Sequence, residues 1–245
     1  GLLKAVRSLE TGVCHIYHKK FDNMSVEGIL AYIRKGTDDR LYAIAELIRR
    51  GVDLLHVYDN TKIDLFFLEK IKNIVEMEKV LKENVKDIET LRDAKRMGIS
   101  DKFIGQLWSM TESEVFLLRK ANNIFPVYKM IDTCAAEFDS KVPYLYSTYE
   151  QENESVVSNR KKIVVLGSGP IRIGQGVEFD YSTVHAIWAI REAGYEAIIV
   201  NNNPETVSTD YTTSDKLYFE PLTVEGVMNV IDSERPTGVV VSLGG

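Results

Sequence analysis

The chain has 245 residues, enough for one large domain or two modest ones. It carries 30 Lys and Arg against 36 Asp and Glu, and this net charge of −6 excludes proteins that bind nucleic acid or anionic membranes through excess basic charge. Two cysteines, Cys14 and Cys134, are too few for a disulfide framework or a cysteine-rich zinc module. No apolar run approaches the ~20 residues of a membrane span, and no signal peptide opens the sequence, so we expect a soluble, cytoplasmic protein.

The composition changes near residue 160. Seven glycines occur in residues 1–160, but nine occur in the much shorter 161–245, which is how a loop-rich α/β unit differs from a helical one. A polar stretch with few apolar residues, 147–160, is the predicted linker between them. We therefore predict a helical domain at 13–154 and an α/β domain at 155–245.

Helical periodicity dominates the first part. Apolar residues recur at helical spacing between the candidate cap Asp39 and the stop signal Gly51. Thr61 begins a sequence like a capping box before a wide apolar stripe at 63–81. The stripe and the pair Phe66–Phe67 are expected to build a local core, with some of the apolar face left for docking. Further helices are predicted at 87–97, 101–109 and 112–122, the last with a capping box at Thr111–Glu114. No useful strand alternation precedes residue 140, so this part is predicted to be all-α.

The second part alternates strands and helices. Strands are predicted at 163–166, 197–200, 217–219 and 238–242, with helices at 182–193 and 223–233. This order implies a parallel, Rossmann-like sheet. The sequence ends at Gly244–Gly245, where another loop and helix would follow, so we expect the sheet to be truncated.

A Gly-rich loop, 167–176, follows the first of these strands, at the place where such sheets bind ligands. Its glycines are Gly167, Gly169, Gly174 and Gly176. A dinucleotide fingerprint fails because Arg172 stands at the third glycine position and Asn201–Asn203 replaces the ribose-binding acid. A Walker loop fails because Gln175–Gly176 replaces the Lys and Ser or Thr. A tight turn without any ligand remains an open alternative, although charged residues at 172, 178, 180, 205 and 210 lie near the same sheet edge.

Several motifs carry a resemblance to a known family. The run 167–181 (GSGPIRIGQGVEFDY), the loop 203–211 (NPETVSTDY) and Phe219–Pro221 resemble the start of the second synthetase half of the carbamoyl phosphate synthetase large subunit. Upstream, 127–129, 132–138 and 146–150 are similar to the end of that family's helical oligomerisation domain. Residues 4–10 (KAVRSLE) resemble the tail of its first half, which assigns 1–12 to that tail.

The resemblance implies a role in a large enzyme. In that family the first half uses ATP to activate bicarbonate, ammonia converts the product to carbamate, and the second half phosphorylates the carbamate with another ATP. Ammonia comes from glutamine through a glutaminase small subunit or is taken up free, and the sequence leaves both sources open. The resemblance also implies that the product serves arginine and pyrimidine biosynthesis. ATP and Mg²⁺ or Mn²⁺ bind to ATP-grasp domains, which this sequence does not include. The resemblance thus implies an ATP-dependent ligase as the parent protein, and a fragment without catalytic residues, bound ATP or turnover of its own.

The same resemblance assigns residues to an internal carbamate tunnel. Glu178 and Glu205 fall on motif positions that line this tunnel, and Arg172 is the expected counter-charge for one of the two carboxylates. Carboxylate walls suit a species that must travel, since a row of cations would hold an anion. The alternative for each residue is a solvated loop charge. The resemblance also implies self-association through the helical domain.

Particular residues in the sequence raise other possible functions. Cys14 and His18 lack a second ligand pair, so no metal site is expected, and Cys134 has no adjacent histidine that would activate it as a nucleophile. The helices at 101–109 and 112–122 mimic a helix-turn-helix, with Arg119 and Lys120 as phosphate contacts. The balance of 24 basic and 25 acidic residues in 1–160 argues against this. A nucleotide-binding Rossmann protein is the remaining alternative.

Overall fold

The computed structural model describes residues 1–132, 137 and 144–241. Cys134 and the final Gly244–Gly245 therefore lie outside the described residues. The chain forms two compact units, one of Val13–Asn122 and one that combines Gly1–Gly12 with Asn123–Gly245. In the part of the chain that the structure describes, no helix combines the length and apolar character needed to cross a bilayer.

The unit of Val13–Asn122 is helical. Helix α1 (Leu2–Ser8) belongs to the other unit, and the helical unit itself contains α2 (Val26–Ile33), α3 (Arg40–Arg49), α4 (Leu54–Thr61), α5 (Leu65–Glu83), α6 (Ile88–Arg96), α7 (Asp101–Trp108) and α8 (Glu112–Ala121). The capping box predicted at Thr111–Glu114 is confirmed, with both reciprocal hydrogen bonds present. The capping box predicted at Thr61 is wrong, because Thr61 ends α4 and Asp64 caps α5 instead.

Helix α5 carries the predicted apolar stripe, but not all of it is covered. Leu68 and Val75 are buried, whereas Phe66 and Phe67 are 56% and 59% exposed. The two rings pack edge to face against each other, with centroids 5.4 Å apart. The expectation that this pair builds local core is therefore wrong. Helical spacing identifies a wide apolar stripe, but the neighbouring helices decide which part of it they cover.

The second unit is built on a six-stranded sheet. Its elements are β1 (Val127–Met130), β2 (Tyr144–Thr148), β3 (Lys162–Leu166), α9 (Glu178–Glu192), β4 (Glu196–Asn201), β5 (Lys216–Phe219), α10 (Val224–Glu234) and β6 (Gly238–Val240). The strand order is β1-β2-β5-β4-β3-β6, and all neighbours are parallel except β1 and β2. When β3, β4, β5 and β6 are renumbered 1 to 4 in chain order, their order across the sheet is 3-2-1-4. This is the strand order of a doubly wound sheet, and it confirms the predicted parallel architecture.

Strands β1 and β2 depart from the sequence expectation. The sequence placed residues 123–154 in the all-α domain, but these two strands pair with each other and β2 extends the sheet beside β5. Both are short, and neither has the continuous apolar run of a doubly buried strand. The hydrogen bonds that stabilise these strands come largely from strands distant in the sequence. The local pattern of apolar and polar residues therefore gives little indication that β1 and β2 are strands.

The sheet separates two apolar cores. Successive residues of β4 point to opposite faces, so that Ile198 packs on one face with Val230 of α10, and Ile199 packs on the other with Ile187 of α9. Every residue of β4 is buried. A helix on each face therefore fixes the sheet and leaves the strand ends as the places where polar groups gather.

A buried polar network fixes the amino end of the sheet. Glu234 at the end of α10 accepts hydrogen bonds from Lys162 at 2.9 Å, from Lys216 at 2.7 Å and from the Tyr218 hydroxyl. Burial alone would raise the pKa of Glu234, but these hydrogen bonds lower it below its ordinary value. Tyr218 also contacts Ser155 at 2.9 Å, which ties the predicted linker to the sheet.

Candidate functional site

The candidate site is the opposite, carboxyl edge of the sheet. Strand β3 ends at Leu166 and runs into the Gly-rich loop, β4 ends at Asn201, and β5 is followed by Glu220. Parallel strands bring these ends to one edge, which is where doubly wound sheets bind ligands. The candidate residues predicted from the sequence lie at this edge.

Helix α1 contacts this edge at the ends of β2 and β5. The Lys4 ammonium donates to Glu220 Oε1 at 2.8 Å, and to the carbonyl and hydroxyl of Ser147 at 2.9 Å each. Glu220 is only 3% exposed and also accepts from the Ser147 backbone N–H at 2.5 Å. A buried carboxylate of this kind needs a charged partner, and Lys4 supplies it.

The end of the same segment reaches β4 and the Gly-rich loop. The Asn202 side chain donates from Nδ2 to the Ser8 carbonyl at 3.0 Å. Arg172 donates to Glu10 Oε2 at 2.6 Å. Together with the Lys4 contacts, these bonds place residues 4–10 against the carboxyl ends of β2, β5, β4 and β3. The N-terminal segment is thus part of the site, although it is far from the other residues in sequence.

Two glycines of the loop permit close approach of side chains. The buried Asn201 accepts from the Gly169 backbone N–H at 3.1 Å, and a Cβ at Gly167 would lie 2.5 Å from its Cγ. Gly169 has φ of +69°, and a Cβ there would lie 2.6 Å from Glu10 Oε1. Both positions therefore exclude any larger residue without movement of Asn201 or Glu10.

The other two loop glycines have different surroundings. Gly174 has φ of +89°, with no atom within 4 Å of its hypothetical Cβ, so only its backbone conformation favours glycine. The Gly176 backbone N–H donates to Glu178 Oε1 at 3.1 Å, and a Cβ there would clash with the same carboxylate.

The two carboxylates assigned to the tunnel lie at the start of α9 and in the loop after β4, and both are exposed. Glu178 is the first residue of α9. Glu205 follows β4, and its backbone N–H donates to Asn203 Oδ1 at 3.1 Å. Within the described ranges, neither carboxylate forms an ion pair. Both side chains are open to solvent.

Arg172 has a different partner from the one expected. Its predicted partner is Glu178 or Glu205, but Arg172 pairs with Glu10. The expected pairing is wrong because the separation of 162 residues between Arg172 and Glu10 leaves no local signal of their contact. Glu10 is the site residue that sequence reasoning missed, although the motif at 4–10 already pointed to this segment.

Asp180 joins the two loops. It is buried in the first turn of α9, and its carboxylate accepts from the Ser208 backbone N–H at 3.1 Å. Ser208 belongs to a short 3-10 turn, Val207–Thr209, in the loop after β4. This bond holds the segment of Glu178 and the segment of Glu205 beside one another. In the sequence, Asp180 is only one of several charged residues near this sheet edge.

The Gly-rich loop does not have the residues of a known phosphate-binding loop. The loop lacks the Lys and Ser or Thr that bind phosphate and Mg²⁺ in a Walker loop. The Glu10 carboxylate lies against Gly169, where it would repel a phosphate. Among the described residues, no group of three His, Cys, Asp or Glu side chains is arranged for a metal ion.

The helix-turn-helix alternative does not fit the helical unit. Arg119, the expected phosphate contact, is 1% exposed and donates to both carboxylate oxygens of Asp101. A buried, paired guanidinium cannot reach a nucleic-acid backbone. The role assigned to Arg119 is therefore wrong, because the helical pattern alone did not show which face of α8 packs inward.

The fold and this edge define a class of protein: a doubly wound α/β unit with a separate helical unit. Two family models match the chain and identify its family. Residues 1–123 match the model described as carbamoyl-phosphate synthetase large chain, oligomerisation domain. Residues 159–245 match the model described as carbamoyl phosphate synthase preATP-grasp domain.

The chain belongs to the carbamoyl phosphate synthetase large-chain family, a family of ligases. The two matches leave residues 124–158 between them, and these 245 residues include no ATP-grasp domain. The fold class and family expected from the sequence motifs are thus confirmed.

Proposed function

We propose that this chain forms part of an enzyme that makes carbamoyl phosphate from bicarbonate, ammonia and two ATP, and that its α/β unit supplies part of the carbamate tunnel wall. Glu178, Glu205 and Arg172 contribute to this wall. Two observations support this assignment. One is the family membership of the chain. The other is the hydrogen bond from the Ser208 N–H to Asp180 at 3.1 Å, which holds the start of α9 with Glu178 beside the loop that carries Glu205. A wall needs both loops to be fixed relative to each other.

Carboxylates in this wall allow carbamate to pass without binding it tightly. They accept hydrogen bonds from water and from N–H donors, while they do not bind an anionic or neutral carbamate as a row of cations would. Arg172 is already paired with Glu10 at 2.6 Å, so its charge is balanced within the chain. The arrangement therefore favours a path along which carbamate moves on without being trapped.

The test uses the full-length large chain. Glu178→Gln and Glu205→Gln are expected to lower carbamoyl phosphate formation more than bicarbonate-dependent ATP hydrolysis, because the first half still makes carbamate that no longer arrives. Glu192→Gln, at the exposed far end of α9, is the matched control and should change neither rate. Equal loss of both rates in the two variants would contradict the tunnel assignment.

The fragment itself is proposed to have no turnover and to bind neither ATP nor Mg²⁺ or Mn²⁺, which belong to the ATP-grasp domains of the parent. ATP-dependent carbamoyl phosphate formation by the 245 residues alone would overturn this. A glutaminase small subunit is the proposed source of ammonia for the parent enzyme. The parent enzyme is proposed to act in the cytoplasm.

The helical unit is proposed to mediate self-association, in keeping with its match to an oligomerisation domain. Sedimentation equilibrium of the chain over a wide concentration range should show a mass above that of the 27.8 kDa monomer. A single monomeric species at the highest concentrations would contradict this role.

A further inference from the structure

The tip of the Gly-rich loop, residues 171–175, is open to solvent. Ile173 is completely exposed and Ile171 is half exposed. The Arg172 N–H donates to Gln175 Oε1 at 3.1 Å, and the Gln175 N–H donates to the Arg172 carbonyl at 3.0 Å. These two bonds form the turn itself and do not join it to the sheet.

One side chain joins this tip to the rest of the α/β unit. Arg172 Nη2 donates to Glu10 Oε2 at 2.6 Å. Within the described ranges, no other hydrogen bond or ion pair links residues 171–175 to residues outside them. The position of the tip therefore depends on where the Glu10 carboxylate lies.

Glu10 reaches the loop through tertiary contacts. Its segment belongs to the α/β unit, although the whole of Val13–Asn122 separates the segment from the rest of that unit in the sequence. Helix α1 of this segment buries Leu3 and Val6, and Lys4 bonds it to the sheet edge. The segment is thus docked on this edge, and Glu10 lies just beyond the end of its helix.

Gly169 allows the Glu10 carboxylate to lie close to the loop. The Oε1 atom of Glu10 is buried and lies 2.6 Å from the position that a Cβ of Gly169 would take, so only glycine permits this approach. The Glu10 side chain is 20% exposed, whereas that of Arg172 is 51% exposed. The carboxylate is therefore held in place before it accepts the guanidinium, and it loses little freedom when the pair forms.

We propose that Glu10 is a positioning residue of the tunnel wall, which holds the tip of the Gly-rich loop through Arg172. Glu10 acts through this pair and needs no contact with the transported molecule. The tip leads directly to Gly176, whose N–H donates to Glu178 Oε1 at 3.1 Å. Release of the tip therefore disturbs the backbone that holds the Glu178 carboxylate. The inference rests on the proposed tunnel function and adds the residue that fixes one of its loops.

The exposure of the pair sets the size of the expected effect. A half-exposed ion pair is weak, so its removal should raise the fraction of molecules with a released tip about two- to fivefold. Salt screens such a pair, so the released fraction should also rise with ionic strength. A tip held in this way favours one position and can still move.

Trypsin measures this release in the 245-residue chain. The protease takes the arginine side chain into its own acidic pocket, so it cuts the Arg172–Ile173 bond only when Arg172 leaves Glu10. The cleavage rate follows the released fraction when the loop opens and closes rapidly. Glu10→Gln keeps the shape of the side chain and removes its charge. It should speed cleavage at Arg172 about two- to fivefold, measured by mass spectrometry of the fragments.

Arg160 in the linker provides a reference site within the same digest. Its side chain is 56% exposed, and its cleavage rate should be the same in wild type and Glu10→Gln. Glu152→Gln, which removes an exposed partner of Lys129, is the matched control and should leave cleavage at Arg172 unchanged. Higher salt should speed cleavage at Arg172 relative to Arg160 in wild type but not in Glu10→Gln. An equal increase at both sites in Glu10→Gln would show a general loss of stability and overturn the specific role of Glu10.

The full-length large chain tests whether the pair serves the wall. Glu10→Gln and Arg172→Gln should each lower the carbamoyl phosphate formed per bicarbonate-dependent ATP hydrolysed. The double variant should lower this ratio no further, because both residues act through one contact. Additive losses would show that Glu10 does not act through Arg172.

Two further results would overturn the proposal. One is unchanged cleavage at Arg172 in Glu10→Gln, and the other is an unchanged product ratio despite faster cleavage. The tunnel assignment fails separately, through the rates of the Glu178 and Glu205 variants, and the trypsin digest does not depend on it.

Discussion

Arg119 donates to both carboxylate oxygens of Asp101, at 3.0 Å from Nε and 2.8 Å from Nη2, and both residues are almost completely buried. Lys95, also buried, lies 2.8 Å from the same carboxylate. One buried carboxylate therefore contacts two buried cations inside the helical unit and joins α6, α7 and α8. Buried ions are tolerated only while they remain paired.

Asp101→Asn is expected to destabilise the helical unit by about 3–5 kcal/mol, because it removes the buried negative charge that both Lys95 and Arg119 contact. Denaturant unfolding followed by circular dichroism measures the change. Asp93→Asn removes an exposed partner of Arg96 and should cost less than about 0.5 kcal/mol. A loss below about 1 kcal/mol for Asp101→Asn would contradict this account of the cluster.

Lys4→Met is expected to loosen helix α1 from the sheet edge. The change removes the only cation within hydrogen-bond distance of the buried Glu220 among the described residues, at a cost of about 1–3 kcal/mol. Hydrogen exchange of the α1 amides should accelerate by about tenfold or more, since 1.4 kcal/mol is a factor of ten. Lys62→Met, which removes an exposed pair with Asp59, is the control and should have little effect. Unchanged exchange in α1 would show that Lys4 does not hold the helix.

Gly169→Ala should cost more stability than Gly174→Ala. Both glycines have positive φ, which penalises any Cβ by about 1–2 kcal/mol. At Gly169 the new Cβ also meets the Glu10 carboxylate at 2.6 Å, whereas at Gly174 it meets nothing within 4 Å. Chemical denaturation of the two variants tests the difference. Equal losses would mean that Glu10 does not pack against the loop in solution.

The buried network at Glu234 predicts an acid-sensitive contribution to stability. The hydrogen bonds from Lys216, Tyr218 and Lys162 overcome the effect of burial and lower the folded-state pKa of Glu234 below its ordinary value. A lowered folded-state pKa stabilises the fold fully above the unfolded-state pKa of about 4.3. This stabilisation is lost as the pH falls through the lowered value.

Glu234→Gln should therefore be less stable than wild type at neutral pH, and the difference should shrink as the pH falls below about 4. Free energies of unfolding from pH 7 down to the onset of acid unfolding measure this trend. Glu192→Gln, on the exposed end of α9, should show no such convergence. A gap between Glu234→Gln and wild type that stays constant with pH would contradict the lowered pKa.

Local sequence determined much of the secondary structure and the identity of the family. The capping box at Thr111–Glu114 involves atoms within one helical turn, and the continuous apolar run of β3 needs only its own residues to be recognised. The Gly-rich loop and the motif at 203–211 marked the carboxyl edge of the sheet in the same way. These features depend on contacts between residues close together in the sequence, so they can be recognised from short segments of the chain.

Tertiary structure alone decided what surrounds that edge. Lys4 and Glu220 are 216 residues apart, and Glu10 and Arg172 are 162 residues apart. Neither contact can therefore be predicted from periodicity or from the spacing of residues in the sequence. The same holds for the entry of β1 and β2 into the sheet. Which charge meets which depends on the path of the whole backbone, because electrostatic and hydrogen-bonding partners are chosen by proximity in space and not by order in sequence.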